Sequence, residues 1–262
     1  MVETQSNVKR EFDHCAADYA RYRPGYPDGV FEALEVEAGA PAGRRAADVG
    51  AGTGIFSRAL ADRGWEVLAV EPSPAMLQHV LAPASSAGPA ATNIRCICAT
   101  AEATALADGC VALVTAAQAF HWFNPPYALA EFARILEPGG ALALVWNNRE
   151  AAGSAFVEAY EDLIGQYNPR YQREYRRQDW PGKMAASGAY EPAAYQRFDR
   201  VWTPSADALV GFSRSVSYLR NVLSREHWPR FEEDLRATMR RHFGRGPCAV
   251  PLRTDLWIAR RT

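Results

Sequence analysis

The chain is 262 residues long, carries a formal net charge of −1, and is 48% hydrophobic with five cysteines. A charge this close to neutral argues against a surface that steers polyanions, so nucleic acid is not an expected partner. No apolar stretch reaches the length of a membrane span, and Met1 to Arg10 is polar, without a signal-peptide core. The expectation is a cytoplasmic protein working on a small molecule as a monomer or homodimer. Cys15, Cys96, Cys98, Cys110 and Cys248 are scattered, and Cys96-x-Cys98 would point to opposite faces of a strand. They read as reduced thiols, and no metal site is expected. The length suits one α/β domain with an inserted or appended cap.

In chain order, the first forty residues read as two helices on either side of Tyr19 to Pro27, where Pro24 and Pro27 stop the first helix and hold the segment extended. From Arg45 strands and helices alternate: strand Arg45 to Val49, helix Ile55 to Arg63 (with Ile55, Ala59 and Leu60 on one face), strand Glu66 to Glu71, helix Ala75 to Leu81. A loop over Ala82 to Thr92 leads to strand Ile94 to Ala99. Strand Val111 to Ala117, helix Pro126 to Leu136, a turn at Glu137 to Gly140 and strand Ala141 to Asn147 follow. Continuous apolar strands separated by helices imply a mostly parallel α/β sheet covered on both faces.

From Glu150 to Gln196 that rhythm is lost and aromatics crowd with arginines: Tyr160, Tyr167, Tyr171, Tyr175, Arg170, Arg173, Arg176, Arg177, Trp180. This stretch reads as a helical cap inserted after the fifth strand. Arg197 to Trp202 reads as a sixth strand, Ala206 to Phe243 as helices, and Leu252 to Ala259 as a last strand. The expected organisation is an N-terminal helical lid over 1–40, a nucleoside-binding core over 41–149, the cap over 150–196, and closing strands and helices over 197–262.

Asp48-Val49-Gly50-Ala51-Gly52-Thr53-Gly54 sits at a strand-to-helix turn. Glycine there permits φ > 0 and close approach of a ligand to the backbone. Glu71 ends the next apolar strand, where a carboxylate accepts from both hydroxyls of a ribose. The turn therefore reads as a nucleoside site. A dinucleotide turn wants G-x-G-x-x-G, and here the third glycine comes one residue early. Asp48 would repel a pyrophosphate but tolerate the α-ammonium of an amino-acid-bearing nucleoside.

Asp-x-Gly-x-Gly-x-Gly with Glu71 downstream resembles class I S-adenosylmethionine-dependent methyltransferases. Taken with Tyr22-Arg23-Pro24-Gly25-Tyr26-Pro27, Gln118-Ala119-Phe120-His121-Trp122-Phe123 and Arg134-Ile135-Leu136-Glu137-Pro138-Gly139-Gly140, it is similar to their small-molecule branch, type 11. The resemblance implies a Rossmann-like seven-stranded sheet whose final strand is antiparallel, with S-adenosyl-L-methionine as cofactor. It implies that Asp48, Gly50, Ala51 and Gly52 hold the methionine moiety and Glu71 the ribose. Pro72 and Met76 would pack on the adenine, whose edge would meet Thr100, Ala101 and Glu102. Thr100 departs from relatives with aspartate there, as does Ala112 at the start of the fourth strand.

Gln118 to Trp122 falls at the carboxyl edge of the sheet, where ligands of open α/β sheets bind. Gln118 is assigned to the cofactor and His121 is the candidate catalytic base, since imidazole titrates near neutrality. Trp122, with Phe123, would wall the methyl channel, and Trp146 and Asn147 end the fifth strand at the same edge. Tyr19 and Tyr22 belong to the lid, Tyr22 over the cofactor and Tyr19 toward the acceptor. Tyr218 faces the acceptor cavity or caps a helix. Arg170 to Arg177 is an anion site or a solvated helix face. Asn124-Pro125-Pro126-Tyr127 resembles an amino-methylation motif, but it begins a helix instead of ending the fourth strand. Methyl transfer to O, N or C of a small acceptor, planar or apolar, is the expected reaction. An NAD-dependent oxidoreductase and a non-catalytic nucleoside-binding protein of the same fold remain as alternatives.

Overall fold

A computed structural model describes residues 16–80, 93–173 and 178–262. The loop expected over Ala82 to Thr92, Cys15, and Tyr175, Arg176 and Arg177 of the aromatic–arginine cluster lie outside the described residues. Helices α1 (Ala16–Tyr22) and α2 (Asp28–Ala38) precede strand β1 (Arg45–Val49), helix α3 (Ile55–Asp62), β2 (Glu66–Val70), α4 (Pro74–Val80), β3 (Ile94–Ile97) and β4 (Val111–Ala117). A 3-10 turn, Phe120–Trp122, leads to α5 (Pro125–Ile135), β5 (Leu136–Arg149), α6 (Ala155–Tyr167), α7 (Trp180–Ala186) and β6 (Ala194–Trp202). The chain closes with α8 (Ala206–Ser215), α9 (Ser217–Arg220), α10 (Trp228–Phe243) and β7 (Val250–Arg260).

The seven strands lie in the order β3-β2-β1-β4-β5-β7-β6. β1 pairs in parallel with β2 and β4, β2 with β3, and β4 with β5. β7 is antiparallel to its neighbours. Arg261 N–H donates to Gly140 O at 2.8 Å and Glu150 N–H to Pro251 O at 3.0 Å, so numbers rise along β5 as they fall along β7. Glu191 N–H on Arg260 O and Thr262 N–H on Ala189 O repeat that pattern ahead of β6. The result is a mostly parallel Rossmann-like sheet.

Two compact units are present. The sheet unit comprises Gly25–Asn147, Gln178–Phe198 and Thr254–Thr262; the helical unit draws on Met1–Pro24, Asn148–Arg177 and Asp199–Arg253. Within the sheet unit the strands alternate between two cores, as period-two side chains must when both faces are covered. Ala46, Leu113, Ala141, Ala143 and Val145 pack with Phe31, Phe56, Leu60 and Trp65 on one face. Ala47, Val114, Leu142, Leu144 and Trp146 pack with Phe120, Phe132, Trp180 and Met184 on the other. The buried face of α3 is Phe56, Ser57, Leu60 and Ala61, so Ile55 and Ala59, expected to lead it, sit at its margin.

Residues 150–196, expected as one cap, are divided between the units. Trp180 of α7 stacks on Trp146, with ring centroids 4.6 Å apart and planes 10° apart. That joins α7 to the sheet core. The expected turn at Glu137 to Gly140 is a bulge inside β5. Val111 pairs with Leu136, yet Leu113 pairs with Ala141, so the extra residues are pushed out of the ladder.

In the helical unit, Phe156, Tyr160 and Ile164 of α6 share a core with Leu209 and Phe212 of α8, and with Phe231, Leu235 and Met239 of α10. Ser154 and Ser205 cap α6 and α8, accepting from Val157 N–H at 3.3 Å and Ala208 N–H at 3.1 Å. The Tyr22 ring of α1 lies directly on Gly211 of α8, where any Cβ would collide with it.

Candidate active site

The glycine turn rests on the end of β2. Gly50 N–H and Ala51 N–H both donate to Val70 O, at 2.8 and 3.1 Å. Gly50, Gly52 and Gly54 have φ of 72°, 56° and 77°, the left-handed region that side chains resist. Gly54 is the residue preceding α3. Glu71 leaves β2 with its N–H on Ile97 O at 3.0 Å. Its carboxylate is 3.0 Å from both Gly52 N (Oε2) and Ser73 N (Oε1). Two backbone amides thus orient the carboxylate, one on each oxygen. Ser73 was not singled out in the sequence. It is buried, and its hydroxyl takes Met76 N–H at 3.2 Å, which fixes the start of α4.

Asp48 is 1% exposed. Oδ2 accepts from Ser57 Oγ at 2.5 Å and Oδ1 from Thr115 Oγ1 at 3.0 Å. It also takes the Ser57 backbone N–H. The carboxylate thus ties β1, β4 and the first turn of α3 together, a negative group at a helix N-terminus. Burial raises its pKa from 3.8 to about 6, against the hydrogen bonds that lower it. These bonds give Asp48 a positioning role in the turn. Ser57 and Thr115 were not anticipated, although Thr115 is the polar residue of an otherwise apolar strand.

On the nucleoside side, Met76 is 2% exposed and belongs to the core. Pro72 O lies 3.7 Å from Cys98 Sγ. Thr100 and Ala103 form an isolated bridge, Ala101 is buried, and Glu102 Oε1 accepts Asn124 N–H at 2.8 Å. The loop is braced from behind by Glu131, which takes Thr104 N–H at 2.8 Å and Thr104 Oγ1 at 2.6 Å. The Arg134 hydrogen bond is the main cause holding the Glu131 carboxyl down at about 2. Thr53 Oγ1, inside the glycine turn, is buried without a hydrogen-bond partner among the described residues.

Gln118 follows β4 with φ of 59°. An L side chain in that region costs about 1–2 kcal/mol. Its N–H donates to Val145 O at 2.8 Å and its Nε2 to Asn147 O at 2.8 Å, while Oε1 is buried without a partner among the described residues. An unmatched buried acceptor costs about 1–3 kcal/mol. The segment after it covers the glycine turn: a Cβ on Gly50 would come within 2.5 Å of Ala119 Cβ and 2.9 Å of Phe123 Cζ.

Trp122 is 39% exposed, and the His121 ring lies 5.2 Å from it. Trp146 Nε1–H points at His121 Nδ1 at 3.5 Å. An indole N–H only donates, so Nδ1 is the accepting nitrogen and the neutral ring carries its proton on Nε2. That tautomer offers Nε2–H as a donor. Trp146 is 1% exposed. Asn147 Nδ2 donates to Gly25 O at 2.9 Å and its Oδ1 accepts from Thr254 Oγ1 at 2.5 Å. Asn147 is a tie between β5, β7 and the Gly25 segment. Asn124-Pro125-Pro126-Tyr127 opens α5 as expected.

Tyr19, Tyr22 and Tyr218 lie in the helical unit. The Arg23 guanidinium stacks 4.6 Å over Tyr19 and donates to Ser215 Oγ at 2.9 Å. Tyr218 Oη accepts from Arg149 Nη1 at 2.9 Å. Arg149 also donates to Glu161 Oε1 through Nε at 2.8 Å and Nη2 at 2.5 Å, and to Tyr171 Oη at 3.1 Å. Burial pushes the Tyr160 and Tyr171 phenols above their usual range, so both stay neutral. This buried pair was missed, since residues twelve apart in sequence carry no pairing signal. Arg173, expected in a basic cluster, pairs with Asp162 at the surface.

Residues 47–144 match the family model described as a methyltransferase domain. That span holds the glycine turn, Glu71 and Gln118. The match falls within the sheet unit. An uncharacterized methyltransferase of Mycobacterium tuberculosis is 39% identical over 165 residues, 63% of each chain. The match thus spans under two thirds of that relative's length. A solved structure from Anaeromyxobacter dehalogenans, assigned as a type II methyltransferase, superposes with a TM-score of 0.58 at 27% identity, covering 92% of this chain and 97% of that one. The phosphoethanolamine N-methyltransferase 2 of Haemonchus contortus, solved with S-adenosylhomocysteine, shares the fold at a TM-score of 0.56 and 14% identity, over 95% of this chain and 57% of that one. Among the described residues, no helix is long and apolar enough to cross a membrane, and no cluster of His, Cys, Asp or Glu could hold a metal ion.

Proposed function

We propose that this methyltransferase-family chain uses S-adenosylmethionine to methylate a small-molecule acceptor, planar or apolar. Glu71 carries the reading. Its carboxylate is held at the end of β2 by two backbone amides, one on each oxygen, which orients it for a ribose. The buried Thr53 hydroxyl without a partner and the left-handed glycines also fit a ligand lying along this turn. The presence of S-adenosylhomocysteine in a neighbour of the same fold supports that choice.

When bound, the cofactor supplies an electrophilic methyl on a sulfonium. Gly50, Ala51 and Gly52 hold its amino-acid end through backbone groups, with Asp48 fixing the turn beneath them. Pro72, Thr100, Ala101 and Glu102 border the adenine, and Met76 supports it from the core. Trp122 walls the acceptor, backed by Trp146 and Asn147. His121 orients the acceptor with its Nε2–H. The work left to the protein is alignment and exclusion of water, because the donor is already activated.

Calorimetry with S-adenosylhomocysteine and NADH tests the reading. S-adenosylhomocysteine is expected to bind and NADH not to; the reverse preference would establish an oxidoreductase. Glu71→Ala is expected to weaken S-adenosylhomocysteine binding by about 1.5–3 kcal/mol, the worth of hydrogen bonds to a charged group. Unchanged affinity removes Glu71 from the ribose site.

A further inference from the structure

Gln118 holds a left-handed backbone and a buried side-chain carbonyl that no described residue satisfies. Strain held in place by the surrounding structure gathers at functional sites, and a buried unpaired acceptor calls for a partner. The bonds from Nε2 to Asn147 O and from the main-chain N–H to Val145 O hold the Gln118 carboxamide against β5.

Strand order says which ligand that partner belongs to. Glu71 closes β2 and the glycine turn closes β1, while the Gln118 side chain is turned from β4 toward β5, on the far side of the turn. With the cofactor over β2 and β1, as proposed above, Oε1 belongs to the acceptor. It is neutral and accepts only, so it receives an N–H or O–H and repels a carboxylate or thiolate. The Trp146 indole N–H lies 3.5 Å from His121 Nδ1, which favours the ring as a donor from Nε2. An alcohol or phenol needs a base before it attacks a sulfonium methyl, whereas a neutral amine brings its own lone pair.

We infer that Gln118 is the specificity-determining residue on the acceptor side, its Oε1 receiving the N–H of a neutral primary or secondary amine, and that the chain N-methylates small amines. The nitrogen lone pair forms the new N–C bond as the methyl–sulfur bond breaks. That electron pair stays on sulfur as S-adenosylhomocysteine, and the alkylated ammonium releases its proton to water.

The test gives the full chain labelled S-adenosylmethionine and a panel of primary and secondary amines with matching alcohols, phenols and carboxylates. S-adenosylhomocysteine binding is measured separately on every variant. Transfer to amines is expected. Gln118→Leu should raise the amine KM about 3–10-fold, the worth of a neutral hydrogen bond, and weaken amine binding to the S-adenosylhomocysteine complex equally, leaving S-adenosylhomocysteine affinity within about twofold. Gln118→Glu, nearly isosteric, should move the acidic limb of the amine pH–rate profile upward, because a carboxylate there stabilises the unreactive ammonium. Transfer to alcohols, phenols or carboxylates in place of amines overturns the proposal. So does an unchanged amine KM and pH profile in both variants, or no amine methylated by a chain that binds S-adenosylhomocysteine. Failure of the unmodified chain to bind S-adenosylhomocysteine removes the cofactor reading beneath it as well.

Discussion

Asp48→Asn tests whether the strand-to-helix turn is built on a carboxylate held in an unfavourable environment. The folded pKa is raised from 3.8 to about 6. The folded protein therefore binds the proton more tightly than the unfolded chain does. Stability from this group is fully present below the unfolded value and is lost as pH rises toward the folded one. At about 1.36 kcal/mol per unit, the ionised side chain costs about 3 kcal/mol at pH 8 relative to its protonated form. Asparagine cannot ionise and removes that cost, but its amide asks either the Ser57 or the Thr115 hydroxyl to reverse from donor to acceptor, at about 1 kcal/mol. The variant should be slightly less stable than the parent at pH 4 and about 2 kcal/mol more stable at pH 8. Urea denaturation of both proteins across that range cancels the other titrating groups. A stability difference independent of pH would refute the raised pKa. A difference that moves against the variant as pH rises would show an ionised Asp48 that stabilises the fold.

His121→Gln should keep its rate within about tenfold and retain its pH profile. A loss of about 10²–10⁴-fold together with a lost limb would reinstate His121 as the base. Gly211→Ala forces the Tyr22 ring off α8 and should cost about 1–3 kcal/mol, as overpacking does, read by thermal unfolding. Ala105 has φ of 60° on the exposed loop after β3. Ala105→Gly should stabilise by up to about 1 kcal/mol, and destabilisation in a urea titration would contradict that strain.

Legibility followed the range of the forces involved. Arg45 to Val49 and Val111 to Ala117 were read with their observed bounds, since a buried parallel strand is a local apolar run bounded by turn residues. Glycine at Gly50, Gly52 and Gly54 was legible because few other residues tolerate that backbone. The Glu137 to Gly140 segment misled because Pro-Gly-Gly favours a turn in isolation, while pairing on either side of it to β4 absorbs the same residues as a bulge. Trp180 misled for a related reason. An aromatic among arginines looks like part of a cap, and only its stacking on Trp146, thirty-four positions earlier, assigns it to the sheet core.

The polar atoms of the site were the least legible. Asp48 and Glu71 stood out in the sequence, yet the sequence could not show that hydroxyls occupy both Asp48 oxygens or that two amides orient Glu71. The difference between the two carboxylates decides their roles. Asp48 accepts from side chains in a core closed to solvent, so it organises the turn from beneath. Glu71 accepts from backbone amides at the end of β2, which orient its carboxylate. Gln118 has neither arrangement: its amide nitrogen is committed to the sheet and its carbonyl oxygen is left unmatched. A glutamine in the left-handed region has no sequence signature, so its role rests on that unmatched oxygen and on the side of the glycine turn from which it projects.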